Sequence, residues 1–249
     1  MNNPDNFQFR RPTPGPQTSV KLIMAPGVVT GLVVLTVLAF FALGFLPART
    51  ARLVEVFAGV SPYRFASGLA GNNGLTAMFA PLVTHMFLHA DIAHLGFNQL
   101  WLLAFGTPIA RRFEAQAGGH PGRWAAGGIF VMFYFLCGAA GALTFIAFHP
   151  NSTILLVGAS GGVMGLLGGL VRVALARHSM FGPSDARLAP LFSSGVVVWT
   201  AVVVGMNVVI GVFGAPFSGG NVAWDAHIGG YLFGLVTFPL FDRIAQAAR

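Results

Sequence analysis

Charge is what this chain has least of. Only 8% of its 249 residues are Asp, Glu, Lys or Arg, against about 25% in an ordinary soluble domain. With 55% hydrophobic residues, that scarcity excludes a soluble globular protein and implies an all-α, polytopic membrane bundle. Cysteine is almost absent: Cys137 stands alone in an apolar segment, so no intrachain disulfide forms and the thiol acts as a small hydrophobe. Met1 to Gln17 is polar and carries prolines, so no cleavable signal peptide is expected there. The net charge of +7 does not point to nucleic acid. The arginines sit in short runs between apolar segments, where they act as topology signals.

Residues 1–25, with Pro4, Pro12, Pro14 and Pro16 among Asn, Gln and Arg, are expected to form a disordered tail. The remainder, 26–249, reads as one membrane domain of about six spans, each near the ~20 residues that cross a bilayer. The expected spans are Gly27–Leu46, His85–Gly106, Ala125–Phe148, Ile154–Leu175, Ser194–Phe213 and Ala223–Phe241. Arg111, Arg112 and Arg123 are expected in the loop after the second span, and Arg172, Arg177 and Arg187 at the close of the fourth. The long connection over residues 47–84 is expected to hold short helices at the interface, since loops of that length usually have structure or function of their own. Arg10, Arg11, Lys21, Arg111, Arg112, Arg123, Arg172, Arg177, Arg187, Arg243 and Arg249 fall on one side, and only Arg49, Arg52 and Arg64 on the other. The positive-inside rule then puts both termini in the cytoplasm.

Against that apolar background a few polar residues stand out. Ser160 lies in Gly158-Ala159-Ser160-Gly161-Gly162-Val163-Met164-Gly165. Glycines at 158, 161, 165 and 168 give a helix one nearly bare face, which lets a second backbone come close in a membrane. Two readings stand for this stretch: a packing seam with an incidental serine, or a nucleophile whose glycines admit its base. His227 is followed on its own helical face by Gly230 and Gly234, so it too offers a bare face, and it is the natural base for a hydroxyl that is inert without one. By itself, a membrane histidine equally suits a structural or proton-relay role. His94 and Asn98 share a face at i and i+4. Both carry N–H donors of the kind acyl transfer aims at a developing oxyanion, and the Ser160 backbone N–H near a helix start can join them. The other reading of that pair is a hydrogen bond that merely packs helices. His85 and His89 lie off this face and are expected at the interface. In the expected topology Ser160 lies two turns into its span and His227 one turn into its own, at the same depth as His94 and Asn98, and polar groups in lipid usually face a bundle interior. No acid completes a triad: Asp225, two residues before His227, is off its face and is expected to cap the last span or sit at the interface. No metal site is expected, because no Cys or Glu converges with the histidines.

These motifs together resemble the rhomboid intramembrane serine proteases. Gly158-Ala159-Ser160-Gly161 matches the family's Gly-x-Ser-Gly, His227 with Gly230 and Gly234 matches its last-span motif, and His89, His94 and Asn98 match its second-span His-x-x-x-x-His-x-x-x-Asn. The resemblance implies a Ser160–His227 dyad with His94 and Asn98 at the oxyanion. It also implies no cofactor, substrates that are transmembrane segments entering laterally between the second and fifth spans, and cleavage near the outer face. Localisation in a bacterial inner membrane is expected. Ala80-Pro81 stands where the family often has Trp-Arg, Ala110 where it often has the Glu of Glu-x-Arg, and Met164 where an aromatic commonly stacks on the histidine. A thioether also makes favourable ring contacts, so Met164 is expected to help orient His227. The competing functions are a catalytically inactive rhomboid-like binder of membrane proteins and a small transporter. Transport needs a polar path, and the inner halves of the spans offer little beyond Thr107 and Thr237.

Overall fold

Apolar runs become helices here, and proline, glycine and polar caps decide where several of them start. The computed structural model of the protein describes residues 25–71, 74–176, 187–214 and 222–249. The N-terminal tail, Arg177 and most of the loop before the last span lie outside the described residues. Helix α1 is Gly27–Gly44, and the long connection holds α2 (Ala48–Ala58), α3 (Pro62–Leu69), α4 (Gly74–Phe79) and α5 (Pro81–Thr84). Then come α6 (Ile92–Trp101), α7 (Thr107–Gln116), α8 (Arg123–Phe148), α9 (Ser160–Ala174), α10 (Ser194–Phe213) and α11 (Trp224–Ala247). Of these, α1, α8, α10 and α11 are long and apolar enough to cross a membrane. A further apolar run is bent by 87° between Gly74–Phe87 and Ile92–Gln116, and α9 is a shorter apolar helix. Two of the six expected spans therefore depart from a simple crossing.

The second span begins later and ends later than the sequence suggests. Asp91 caps α6, its Oδ1 accepting the His94 backbone N–H at 2.8 Å, which sets the start at Ile92 rather than His85. Pro108 has no N–H to give and crowds the carbonyl four residues back; the chain passes it through a π-helical turn at Leu102–Gly106 and stays helical to Gln116. Arg111 and Arg112 thus lie on a helix, not in a loop. The Arg112 guanidinium grips Asp242 of α11 with two bonds, 2.7 and 2.8 Å long. The arginine left without a glutamate at Ala110 finds its carboxylate on the last helix. Arg123 likewise opens α8.

The fourth span is the larger correction. Its helix starts at Ser160, not near Ile154. The preceding segment is extended because Leu156 pairs with Val60 of the first connection, N–H to O in both directions at 2.8 and 3.1 Å. Gly158, at φ +115°, then stops helix from propagating backwards. Ser160 is therefore the first helical residue instead of lying two turns inside.

Helix α9 is the central element. It is walled by α8, α11 and Met86, and its glycines are where the walls touch. A Cβ on Gly162 would lie 2.5 Å from Met86 Cε, one on Gly165 2.2 Å from Cys137 Cβ, and one on Gly168 2.4 Å from the Tyr231 carbonyl. The far end of α11 packs an aromatic cluster: Phe238 stacks on Phe113 at 5.6 Å and Phe241 meets Phe133 at 4.9 Å between ring centres.

Arg172, expected at the close of the fourth span, is instead buried. Its Nε donates to the Ala189 carbonyl at 2.7 Å and its Nη1 to the Leu235 carbonyl at 2.9 Å. The second acceptor exists because Pro239, inside α11, cannot donate to the carbonyl four residues before it. Arg172 completes the hydrogen bond that Pro239 leaves open. Arg172→Met should destabilise the protein by about 3 kcal/mol, the cost of a buried acceptor left unpaired plus a lost charge-assisted bond. Adding Pro239→Ala, which returns an N–H to Leu235, should recover part of it in thermal unfolding in detergent. A double variant no more stable than Arg172→Met alone refutes the pairing.

Candidate active site

The site is assembled where α9 meets α11 backbone to backbone. A Cβ on Gly230 would lie 2.1 Å from the Gly161 carbonyl, and one on Gly234 2.1 Å from the Gly165 carbonyl. One level up, a Cβ on Gly161 would be 3.7 Å from the Ala226 carbonyl. Ser160 precedes Gly161 and His227 follows Ala226, so the two side chains flank a single backbone contact. Any larger residue at Gly230 or Gly234 forces the helices apart and the two side chains with them. His227 is the fourth residue of α11, one turn in, as the sequence suggests.

The loop before Ser160 brings the third element. Gly158 donates its N–H to the His85 carbonyl at 2.9 Å. At this φ a side chain is strained, and a Cβ would stand 2.7 Å from His94 Nε2 and 4.0 Å from Asn98 Nδ2. The His94 and Asn98 side chains therefore lie against the residue two before the serine. His94 Nδ1 accepts a long, 3.5 Å bond from the Ala90 N–H, which leaves Nε2 as the ring N–H facing Gly158. Asn98 Nδ2 spends one hydrogen on the His94 carbonyl at 2.9 Å and keeps the other. As the first residue of α9, Ser160 has a backbone N–H with no partner inside the helix.

Two expectations about the neighbouring histidines need correction. His85 is not interfacial: it is 2% exposed, its Nδ1 lies 2.8 Å from the Pro81 carbonyl, and its own carbonyl holds Gly158. His89 is partly exposed, but both its ring nitrogens are buried without a hydrogen bond, and its ring meets that of His94 edge-on at 5.0 Å. Asp225 is also inside, 1% exposed. His149 Nε2 comes within 3.0 Å of its Oδ2, yet neither carboxylate oxygen has a partner in hydrogen-bond geometry.

The sequence reading missed Asn207. It sits on α10, 7% exposed, with Oδ1 2.9 Å from His227 Nδ1. Met164, expected to orient the ring, packs against the hydrophobic cluster that holds Val196, Val203 and Tyr231. The signal was present: one amide in a valine-rich span, where a polar side chain needs a partner. No partner could be named without knowing which face of α10 meets α11. Among the described residues the His227 ring makes no hydrogen bond to Ser160, whose hydroxyl is half-buried.

The comparisons with known proteins agree with this architecture. The Rhomboid domain family model matches residues 76–243, which takes in α6 to α10, most of α11 and every residue of the candidate site. Over 153 residues the chain is 29% identical to the Rhomboid protease GluP of Bacillus subtilis (strain 168), a match over 61% of this chain and 24% of that protein. The chain thus spans about a quarter of the length of that curated relative. A family match over well more than half of the residues, on a bundle of apolar helices, makes this multi-pass membrane protein a member of the rhomboid family.

Proposed function

We propose that this chain is an intramembrane serine endopeptidase with Ser160 as nucleophile and His227 as general base. The observation that carries the reading is the Gly161–Gly230 backbone contact, which puts the two residues on either side of one helix crossing. Membership of the rhomboid family and the likeness to a protein named as a rhomboid protease support it. The domain occupies 26–249 behind a tail at 1–25, in six spans with both termini cytoplasmic, and a bacterial inner membrane suits it. The arginine balance supports that orientation even with Arg172 taken out of the count as a buried structural residue.

The chemistry follows from the groups at hand. A substrate span enters laterally from the bilayer and unwinds locally, because a helical carbonyl is already bonded. His227 Nε2 takes the hydroxyl proton as Ser160 Oγ bonds the carbonyl carbon. The oxygen becomes negative beside the Ser160 N–H, His94 Nε2–H and the free Asn98 Nδ2 hydrogen, donors fixed before the reaction begins. His227 gives its proton to the leaving amine as the C–N bond breaks. Water then attacks the acyl-enzyme, losing a proton to His227, which returns it to Ser160. The Ser160–His227 bond forms as substrate closes the site, since catalytic hydrogen bonds are often long without substrate. No cofactor or metal takes part. A cleavage position near the outer face fits the start of α9 at Ser160, next to the extended segment from the first connection.

Purified protein should label with a fluorophosphonate and cleave a single-span substrate, and Ser160→Ala and His227→Ala should do neither. Cleavage by Ser160→Ala at the wild-type rate overturns the nucleophile. A wild type that neither labels nor cleaves across several substrates leaves the inactive binder as the better reading.

His94→Ala or Asn98→Ala should lower kcat by about 100-fold or more, the usual loss of one oxyanion donor. Gly158→Ala should lower it at least about tenfold, since a shift of ~1.4 kcal/mol in the barrier is a factor of ten and the new methyl group pushes on His94. Unchanged kcat in Gly158→Ala would show that His94 does not work from this position.

A further inference from the structure

Resting on the proposed reading of Ser160 and His227, we propose that Asn207 is the positioning residue of the site: it fixes the ring orientation and tautomer of His227 from α10. The residue is buried in lipid-spanning helix, and its two polar ends have separate tasks. Nδ2 donates to the Val203 carbonyl, one turn back on its own helix, at 2.9 Å. That bond settles which end of the amide is which and leaves Oδ1 turned to the imidazole, 2.9 Å from Nδ1. An amide oxygen only accepts. The His227 proton must therefore sit on Nδ1, and Nε2 keeps the lone pair a general base needs. Had the proton sat on Nε2, the ring would present a donor to the Ser160 hydroxyl and could not take its proton.

The placement on α10 is the second half of the inference. The face of α10 turned to α11 is a stripe at helical spacing: Val196, Thr200, Val203, Asn207 and Gly211. Two of these five positions bond across the crossing. Thr200 meets the Tyr231 hydroxyl at 3.0 Å, and Asn207 meets His227. Away from that stripe much of α10 is exposed, with Val198 60% and Met206 58% exposed. The groups that hold α10 on α11 thus include the one that orients the base, and the base is correctly set only while α10 is docked. A Ser–His pair without an acid obtains its third member from a neighbouring helix, as an amide in place of a carboxylate.

Two measurements on the full chain in detergent test this. The first is 15N NMR of histidine-labelled protein, with His227→Ala to assign the signal. The wild type should show His227 as the neutral Nδ1–H tautomer, and Asn207→Leu should lose that preference. The second is cleavage kinetics. Asn207→Leu should lower kcat between about 10- and 100-fold, less than the roughly 100- to 10,000-fold that a positioned general base contributes in full, with KM little changed. Asn207→Asp, which keeps an acceptor oxygen at the same reach, should stay closer to the wild type. Thr200→Val, which cuts the other α10–α11 bond, should cleave near the wild-type rate. An unchanged tautomer in Asn207→Leu, or equal losses in Asn207→Leu, Asn207→Asp and Thr200→Val, overturns the positioning role. If Asn207→Leu does not fold, Asn207→Ala, which also removes the acceptor oxygen, takes its place in the same comparison. A wild type that does not cleave removes the protease reading and not the bond, because the NMR signal reports the tautomer in an inert protein as well.

Discussion

Everything at this site depends on two helix backbones touching. In lipid no hydrophobic force pulls helices together, since tails are as apolar as leucine, and close association comes from van der Waals contact and polar bonds. Glycine is what permits it. With the Gly161 carbonyl facing Gly230 and the Gly165 carbonyl facing Gly234, α9 and α11 approach until no side chain fits between them. Ser160 and His227 are the first side chains beyond that seam on either helix. The crossing and not their own flexibility governs their separation, which suits the proposed role of the two as a pair held in fixed geometry.

The same economy of space governs the approach to Ser160. An extended segment inside a membrane domain needs hydrogen-bond partners from protein, and it finds them in Val60 and His85. The first connection is therefore part of the scaffold: it holds 156–158 in place, and Gly158 delivers the chain to α9 against His94. The connection is fixed in turn by Thr84 Oγ1 on the Ala58 carbonyl at 2.8 Å and by the Arg64 guanidinium on the Val56 carbonyl. Ala80-Pro81, which departs from the pattern seen in similar chains, begins the short helix α5. Four residues on, the buried His85 puts Nδ1 2.8 Å from the Pro81 carbonyl and offers its own carbonyl to the Gly158 N–H.

What the sequence made legible is what depends on composition and on one helix at a time. Scarce charge and long apolar runs identified the membrane bundle, and the Ser194–Phe213 helix appears with the bounds expected of it. Glycine periodicity marked the seam because every residue in it lies on one helix face. The failures share a physical cause: each concerns a partner supplied by another element. Ile154–Val157 is apolar enough for a helix and is taken instead by pairing with Val60. Arg172 has the position of a topology signal and is recruited by a carbonyl that Pro239 leaves open. Arg112 is paired across 130 residues of chain by Asp242. His85, read as interfacial, is drawn inside by the loop it supports.

Asn207 belongs to this class and shows why polar residues in transmembrane helices carry more information than their number suggests. An amide in the middle of α10 gains nothing from lipid and must be satisfied within the protein. Half of that demand is met by its own helix, through Val203. The other half has to come from whatever helix lies alongside, so the amide selects both a neighbour and a rotation of α10 about its axis. His227 has the complementary need: a half-buried ring requires an acceptor for its N–H, and Asp225, two residues away, faces His149 on the other side of α11. Each residue answers the other's unpaired group. A seam of glycine sets how close Ser160 and His227 stand, and an amide on a third helix sets which nitrogen faces the serine; distance and tautomer are controlled by different contacts, so either can change without the other.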